Sequence, residues 1–489
     1  MGRAPWGACN ELTSALFWIP VALNLVAAMA TAAHAVMYKR DLRAAWGWVL
    51  ASFTMPVLGP LLYWLMGVNR IRRRRIGELP GPGPPPGPAR KEAVEVEARL
   101  WDIGTPQFTG LVHLACRITG QPLLAGNLVE PLRNGEEAYP AMLAAIEGAR
   151  SSVTLATYIF DGDATGREFA RALSAAAARG VEVRVLVDGF GERYSKVRAR
   201  SFFRETKVRS AKFAPPVPLW RGAFINLHNH RKILVVDGKV GFTGGMNLSD
   251  RHMASRTENP HRVEDLHFQV RGPIVAELQR VLFDDWWFVT GEKLEGDRFY
   301  PLLEHAGTAL CRGVSDGPNQ DQEKLQYILL GAIASARQRI QIQTPYFIPD
   351  RLTLAGLVTA ALRGVEVDIM LPAKSNLPFF QWAMTAYLWE LLRFGVRVFL
   401  VPDPFVHTKA LVVDGIWVLI GSANLDPRSL RLNFEFNVEV YDPALGSRLG
   451  AELEAVAARS RAVTLEEVDS RSLPVRLRDG VAKLFSPFL

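Results

Sequence analysis

Asn229–Asp250 reads NHRKILVVDGKVGFTGGMNLSD, and His407–Asn437 reads HTKALVVDGIWVLIGSANLDPRSLRLNFEFN. Laid over one another, they set His230, Lys232 and Asp237 against His407, Lys409 and Asp414, each an H-x-K-x4-D. The agreement continues downstream. Gly244 and Asn247 lie 14 and 17 residues after His230, and Gly421 and Asn424 lie 14 and 17 after His407. One such pattern has a chance expectation of about one in a hundred in a chain of this composition. Two copies with matching Gly and Asn are not an accident of composition. In each copy an apolar run (Ile233–Val236, Ala410–Val413) enters an Asp-Gly turn and a second apolar run follows, which predicts a hairpin. On a strand, His and Lys two residues apart share one face.

The duplication extends upstream. Ala145–Gly189 holds AIEGARSSVTLATYIFD, an Ala-rich helical stretch and RGVEVRVLVDG; Ala332–Ala373 holds AIASARQRIQIQTPYFIPD, a helical stretch and RGVEVDIMLPA. Each copy reads helix, strand, helix, strand, the βαβ pattern of a mostly parallel sheet covered by helices. The predicted fold is therefore α/β, two pseudo-symmetric halves at residues 96–300 and 301–489. A Pro/Gly-rich linker at 77–95, with PGPGPPPGP at Pro80–Pro88, separates them from residues 1–76.

If the halves pack symmetrically, two His, two Lys and two Asn converge on one pocket. A phosphodiester calls for such a set. Its phosphorus is shielded by anionic oxygens, which Lys232, Lys409, Asn247 and Asn424 would neutralise. One neutral imidazole attacks phosphorus, and the other, protonated, delivers a proton to the leaving alkoxide. This chemistry requires no metal or cofactor, and no metal-ligand cluster is visible in the sequence. A histidine nucleophile needs its other ring nitrogen held. Asp265 is expected to orient His230, and Glu435 to orient His407. Asp237 and Asp414 complete the catalytic motif, but they open tight turns, which favours a structural role over a catalytic one. His228 shares the His230 face as a pocket or a structural residue; His252, His261 and His267 lack duplicates and read as ordinary. Gly244, Gly245 and Gly421 permit turns or let backbone approach a phosphate.

Residues 1–76 read as a membrane anchor. Thr13–Met37 and Ala44–Asn69 contain no charged residue, and about 20 helical residues cross a bilayer core. Pro20, Asn24 and His34 interrupt the first run, and Pro56, Gly59 and Pro60 the second, so kinked or re-entrant helices are compatible. A signal peptide is the rival reading of the first run. Arg70 and Arg72–Arg75 outweigh Lys39, Arg40 and Arg43 and place the remainder of the chain on the cytoplasmic side. In the whole chain, 49 % of residues are hydrophobic and 22 % charged, which excludes global disorder. The net charge of +8 fits a polyanionic partner. Three scattered cysteines, Cys9, Cys116 and Cys311, argue against a disulfide framework or zinc knuckle.

At these residues the chain resembles the phospholipase D superfamily, and within it the bacterial cardiolipin synthases. The two motif stretches, QTPYFIPD (Gln343–Asp350), NGEEAYPAML (Asn134–Leu143) and the paired N-terminal helices carry the resemblance over nearly the whole chain. It implies two phospholipase D-like α/β/α sandwich halves after a transmembrane helical hairpin in the bacterial inner membrane. It implies joining of two phosphatidylglycerol molecules into cardiolipin with release of glycerol, through a phosphohistidine. It further implies that His230 is the nucleophile and His407 the acid and base. The residues alone do not break that symmetry. Lys374-Ser375-Asn376 departs from the family, which more often has an acid after the serine.

The expected partners are phosphatidylglycerol, other anionic phospholipids and the membrane. Three regions suggest how lipid reaches the pocket: the aromatic Pro378–Phe394, the Pro-rich Phe213–Phe224 as a gate, and the tail Val475–Leu489 with Arg476, Arg478 and Lys483 among Leu484, Phe485 and Phe488. The competing functions are a phospholipase D hydrolase, which resolves the same intermediate with water, a membrane-tethered nuclease, and an inactive scaffold. No aromatic-interleaved basic groove supports nucleic-acid binding, and two intact motifs argue against a scaffold.

Overall fold

The computed structural model describes residues 7–39, 42–67, 105–195, 197–213, 228–317 and 323–486. The Pro80–Pro88 linker, Arg70, Arg72–Arg75 and the proposed gate beyond Phe213 lie outside them. The chain separates into two compact units, one built on the N-terminal helices and one carrying both duplicated halves.

In the N-terminal unit, Gly7–Tyr38 forms one helix through Pro20. Its stretch Trp18–Tyr38, 21 residues, is the one described helix long and apolar enough to cross a membrane. The second uncharged run does not form a matching span. It divides into a helix at Leu42–Thr54, a short helix at Leu58–Leu62 and a π-turn at Tyr63–Gly67. The break sits at Pro56, where proline cannot supply a helical N–H, and Gly59 then packs so closely that a Cβ would lie 2.1 Å from the Ala51 carbonyl oxygen. The polar residues within the apolar runs are used to join them. The Asn24 side chain accepts from the Val57 N–H (2.6 Å), His34 Nδ1 lies 2.7 Å from the Tyr63 hydroxyl, and Trp64 Nε1 donates to Thr31.

The larger unit is a sheet of sixteen described strands. The first half supplies, in spatial order, Leu124–Arg133, Leu266–Arg271, Val240–Gly244, Ile233–Val236, Ser152–Thr157, Glu182–Asp188 and Arg209–Phe213. The second half repeats that order with Ala309–Asp316, Asn433–Tyr441, Trp417–Gly421, Ala410–Val413, Arg339–Gln343, Glu366–Pro372 and Arg397–Val401. Leu124–Arg133 pairs antiparallel with Ala309–Asp316 and fuses the two runs.

Strand alternation explains the layers. Val153 and Leu155 point into a core shared with the helices Asn134–Gly148 and Ala164–Ala178, whereas Thr154 bonds Gln279 on the helix Ile274–Thr290. In the second half Ile340 and Ile342 enter the main core with Lys324–Ser335 and Arg351–Leu362, and Gln341 bonds Gly450 on Pro443–Ala458. Helices thus cover both faces of each half, and the central strands are buried on both sides. Both motif hairpins form as predicted, Ile233–Val236 against Val240–Gly244 and Ala410–Val413 against Trp417–Gly421.

Candidate active site

Each motif histidine stands just before its hairpin, on a segment laid against the other half. His228–Asn229 runs parallel to Asn433–Phe434, and the His230 N–H donates to the Phe434 carbonyl (2.9 Å). Reciprocally, Phe405–Val406 runs parallel to Val263–Glu264, and the His407 N–H donates to the Glu264 carbonyl (2.7 Å). This crossing corrects the expected orienters. His230 Nδ1 meets both carboxylate oxygens of Glu435 at 3.0 Å, and His407 Nδ1 meets Asp265 at 2.8 Å. Asp265 does not hold His230 and Glu435 does not hold His407. The cause is the register: the residue after Phe434 is Glu435 and the residue after Glu264 is Asp265, so each backbone pairing delivers a carboxylate to the opposite half's imidazole.

Between the histidines and their turns, Arg231 locks the first motif from the other face of the segment. Its guanidinium pairs with Asp285 (2.5 Å) and also bonds Ser315 and the Glu435 carbonyl. Lys232 Nζ donates to the His230 carbonyl (2.7 Å) and lies 5.4 Å from the centre of the Tyr158 ring. Lys409 behaves differently. Besides the His407 carbonyl, its Nζ lies against the His407 ring, 3.1 Å from Nδ1 and 3.2 Å from Nε2. The two imidazoles are 12 % and 14 % exposed, which leaves an edge of each open, while both carboxylates are fully buried.

The electrostatics separate the two pairs. Burial would raise Glu435, but His230, Lys232 and the Ser422 hydroxyl (2.5 Å) outweigh it and hold the carboxyl below its usual range. Asp265 is raised by burial, with Lys409 opposing. Burial depresses His230, with Glu435 opposing and the lysines reinforcing; burial and the lysines depress His407 further. Burial takes Lys232 down to about 7 and Lys409 to about 8. An ionised Glu435 can only accept, so the His230 Nδ1 carries the proton and Nε2 carries the lone pair.

Asp237 and Asp414, expected within the catalytic set, are elsewhere. Both have left-handed φ of 52° at their turns. Asp237 accepts from the N–H groups of Arg150, Ser151 and Ser152; Asp414 accepts from those of Arg337, Gln338 and Arg339. A four-residue strand separates each from its His-Lys pair, roughly 13 Å of chain. They fix the loop that starts each half's first central strand.

Asn247 is buried beside the motif, its side-chain oxygen accepting from the Ile159 N–H (3.2 Å), which leaves the NH2 as a donor; Asn424 is equally buried and donates to Ser429 (3.3 Å). Gly245 is required by its neighbour, since a Cβ there would lie 2.4 Å from the Asp265 carboxylate.

Several residues at the site were not singled out from sequence. The Tyr158 ring lies 5.0 Å from that of His230, and the Tyr346 ring 6.5 Å from that of His407. Both follow the first central strand of their half, in TYIFD and TPYFIPD, so the repeat itself carried that signal. Asn376, the departure from the family pattern, accepts from the Tyr346 hydroxyl (2.7 Å). His252 has no duplicate, yet it lies 3.9 Å from Asp265 and 6.2 Å, ring to ring, from His407. His228 is buried against Phe190 and 3.7 Å from Asp188, and the exposed His261 stands apart in a turn.

Residues 142–286 and 329–457 each match the family described as "Cardiolipin synthase, PLD-like domain", and residues 26–67 match "Phospholipase_D-nuclease N-terminal". The chain is 31 % identical over 465 residues to the major cardiolipin synthase of Bacillus subtilis strain 168, covering 92 % of this chain and 95 % of that protein. It is 30 % identical over 484 residues to a cardiolipin synthase of Listeria monocytogenes serotype 4a, covering 97 % and 99 %. Among solved structures, phosphatidylserine synthase of Haemophilus influenzae has the same fold, with a TM-score of 0.60 at 15 % identity over 78 % of this chain and all of that one.

Proposed function

The chain belongs to the bacterial cardiolipin synthases of the phospholipase D superfamily, and from that premise we propose that it joins two phosphatidylglycerol molecules into cardiolipin and glycerol at the crossed histidine pair. The observation that carries the reading is the pair of imidazoles, each held at Nδ1 by a buried carboxylate of the other half, with a lysine beside each. His230 Nε2 attacks the donor phosphorus, the P–O bond to the terminal glycerol breaks, and His407, protonated, gives that alkoxide its proton. His407 then takes the proton of an acceptor glycerol hydroxyl. The hydroxyl oxygen attacks phosphorus, the P–N bond breaks, and cardiolipin leaves.

Lys232, Lys409, Asn247 and Asn424 bind the phosphate oxygens in this scheme. Assigning attack to His230 is supported by its ionised, Ser422-bonded carboxylate. The Asp265 carboxyl beside His407, by contrast, is raised by burial. Asp237 and Asp414 have no role in the reaction.

We further infer that both N-terminal segments cross the bacterial inner membrane as a hairpin, with the catalytic unit cytoplasmic. The three hydrogen bonds that join the segments and the basic residues after the second run support this. Purified enzyme on phosphatidylglycerol vesicles tests the proposal. Cardiolipin with equimolar glycerol is expected, and phosphatidic acid as the main product would sink the transferase reading in favour of hydrolysis. Enzyme quenched in denaturant at neutral to alkaline pH, where a phosphohistidine survives, should carry a phosphatidyl group on His230; label on His407 would reverse the assignment.

A further inference from the structure

The C-terminal helix Leu473–Leu484 packs through one face and leaves another bare. Asp479 and Ala482 are buried, and Asp479 is neutralised by Arg471 (2.7 Å) and Arg478 (2.8 Å). The opposite face carries Leu473, Leu477, Val481, Leu484 and, just past the helix, Phe485, each 50–75 % exposed. At 100° per residue these five occupy a single arc of about 120°. Arg476 and Arg478 flank the arc on either side, and no acid lies on it.

The helix packs against Pro378–Leu392, whose exposed Phe379 and Trp389 extend the apolar surface. Phe379 stacks edge-on against Phe485 (5.7 Å), Arg478 lies over Trp382 (4.8 Å) and Lys483 over Tyr387 (4.1 Å). From this pair the path to the chemistry is short. Phe380 touches Tyr346 (5.1 Å), and the Tyr346 ring lies 6.5 Å from His407.

We propose that the apolar ridge of Leu473–Phe485, with Phe379 and Trp389, is an interfacial docking surface for an anionic bilayer, holding the Tyr346 and His407 side of the active site near headgroup depth. Charge decides the occupant. An apolar arc flanked by Arg476 and Arg478 suits anionic headgroups, where each cation gains and the leucines reach acyl chains. A second copy of the chain would bring like-charged rims together. The consequence for the reaction is that substrate is drawn from the bilayer without leaving it. The inference rests on the reading that the substrate is a membrane phospholipid.

The test uses the full chain with Leu477→Asp/Val481→Asp and the conservative pair Leu477→Ile/Val481→Ile. Each is assayed on phosphatidylglycerol proteoliposomes and on dihexanoyl phosphatidylglycerol dissolved below its micelle concentration. The aspartate pair should lose about tenfold or more in kcat/KM on the bilayer, stay within about twofold of wild type on dissolved lipid, and be restored by isoleucine. Equal loss on both substrates, or full activity on the bilayer, would overturn the proposal. So would a changed oligomeric state with unchanged bilayer kinetics, which would make the ridge a contact between copies.

A bimane probe at Leu484→Cys, with Cys9 and Cys116 replaced by serine, reads docking without activity. Quenching by doxyl-labelled phosphatidylglycerol vesicles supports the ridge even if the enzyme's products contradict the proposed reaction, and no quenching rejects it.

Discussion

The crossed carboxylates invite a direct energetic test. In a double-mutant cycle of His230→Ala with Glu435→Gln, the two groups are 3.0 Å apart and the carboxylate is fully buried. A hydrogen bond to a charged group contributes about 1.5–3 kcal/mol, and a cycle isolates that coupling from the cost of each substitution. The same coupling is expected for His407→Ala with Asp265→Asn, which are 2.8 Å apart. The control cycles pair each histidine with the acid of its own half, His230 with Asp265 and His407 with Glu435. Lys232 and Lys409 each interact with both acids, so these should couple, but by less than the crossed pairs.

The larger unit is described between residues 105 and 486. At about 2.1 cal/mol/K per residue its unfolding entropy is about 0.8 kcal/mol/K, so the crossed coupling amounts to ~2–4 °C of Tm non-additivity. Differential scanning fluorimetry of the four proteins in each cycle, at one detergent concentration and pH 7, resolves that. Larger coupling in either same-half cycle, or additivity in both crossed ones, would refute the exchange.

Other consequences follow from the same buried charges. Lys232→Met should abolish turnover yet stabilise the fold, because the lysine falls from its usual 10.5 to about 7 on burial; 10.5 − 7 is 3.5 units, an upper bound of about 5 kcal/mol, measured as a rise in denaturation midpoint. The sign with pH follows. Between about 7 and 10.5 the unfolded lysine binds a proton that the native one has released, so wild-type stability should rise across that window and the Lys232→Met protein should lose that part of the rise. Activity runs the other way. As Lys232 and Lys409 lose their protons near 7 and 8, kcat/KM for the phosphodiester should fall with rising pH, and a flat profile from pH 7 to 9 would contradict lysine neutralisation of the phosphate. Gly245→Ala should cost about tenfold or more in kcat, since its Cβ would press on the Asp265 carboxylate and disturb His407; wild-type kcat would show that Asp265 tolerates displacement.

What the sequence disclosed and what it withheld have separate physical causes. The hairpins, both His-Lys pairs and the repeated strand order are local or periodic features. Alternation along a strand and the 14- and 17-residue spacings fix them without reference to the rest of the chain. At Asp237 and Asp414 the tight turn is a better guide than the motif, which reads the acids as one unit with the His-Lys pair. The four apolar residues that separate each from its lysine form a strand, and a strand carries its far end away from the site. In the second N-terminal run the break was legible too, because Pro56 and Gly59 mark in the sequence the point where the structure divides the run into Leu42–Thr54 and Leu58–Leu62.

The exchange of orienters had no local signature at all. It depends on His228–Asn229 finding Asn433 and Phe434 some two hundred residues away, and on Phe405–Val406 finding Val263 and Glu264. Proximity in sequence assigned each acid to its own half, whereas two short parallel pairings at the seam assign it to the other. The crossing also answers why a duplicated chain should keep both copies intact. Each half supplies an imidazole it cannot orient and a carboxylate it cannot use alone, so the complete site exists only where the halves meet.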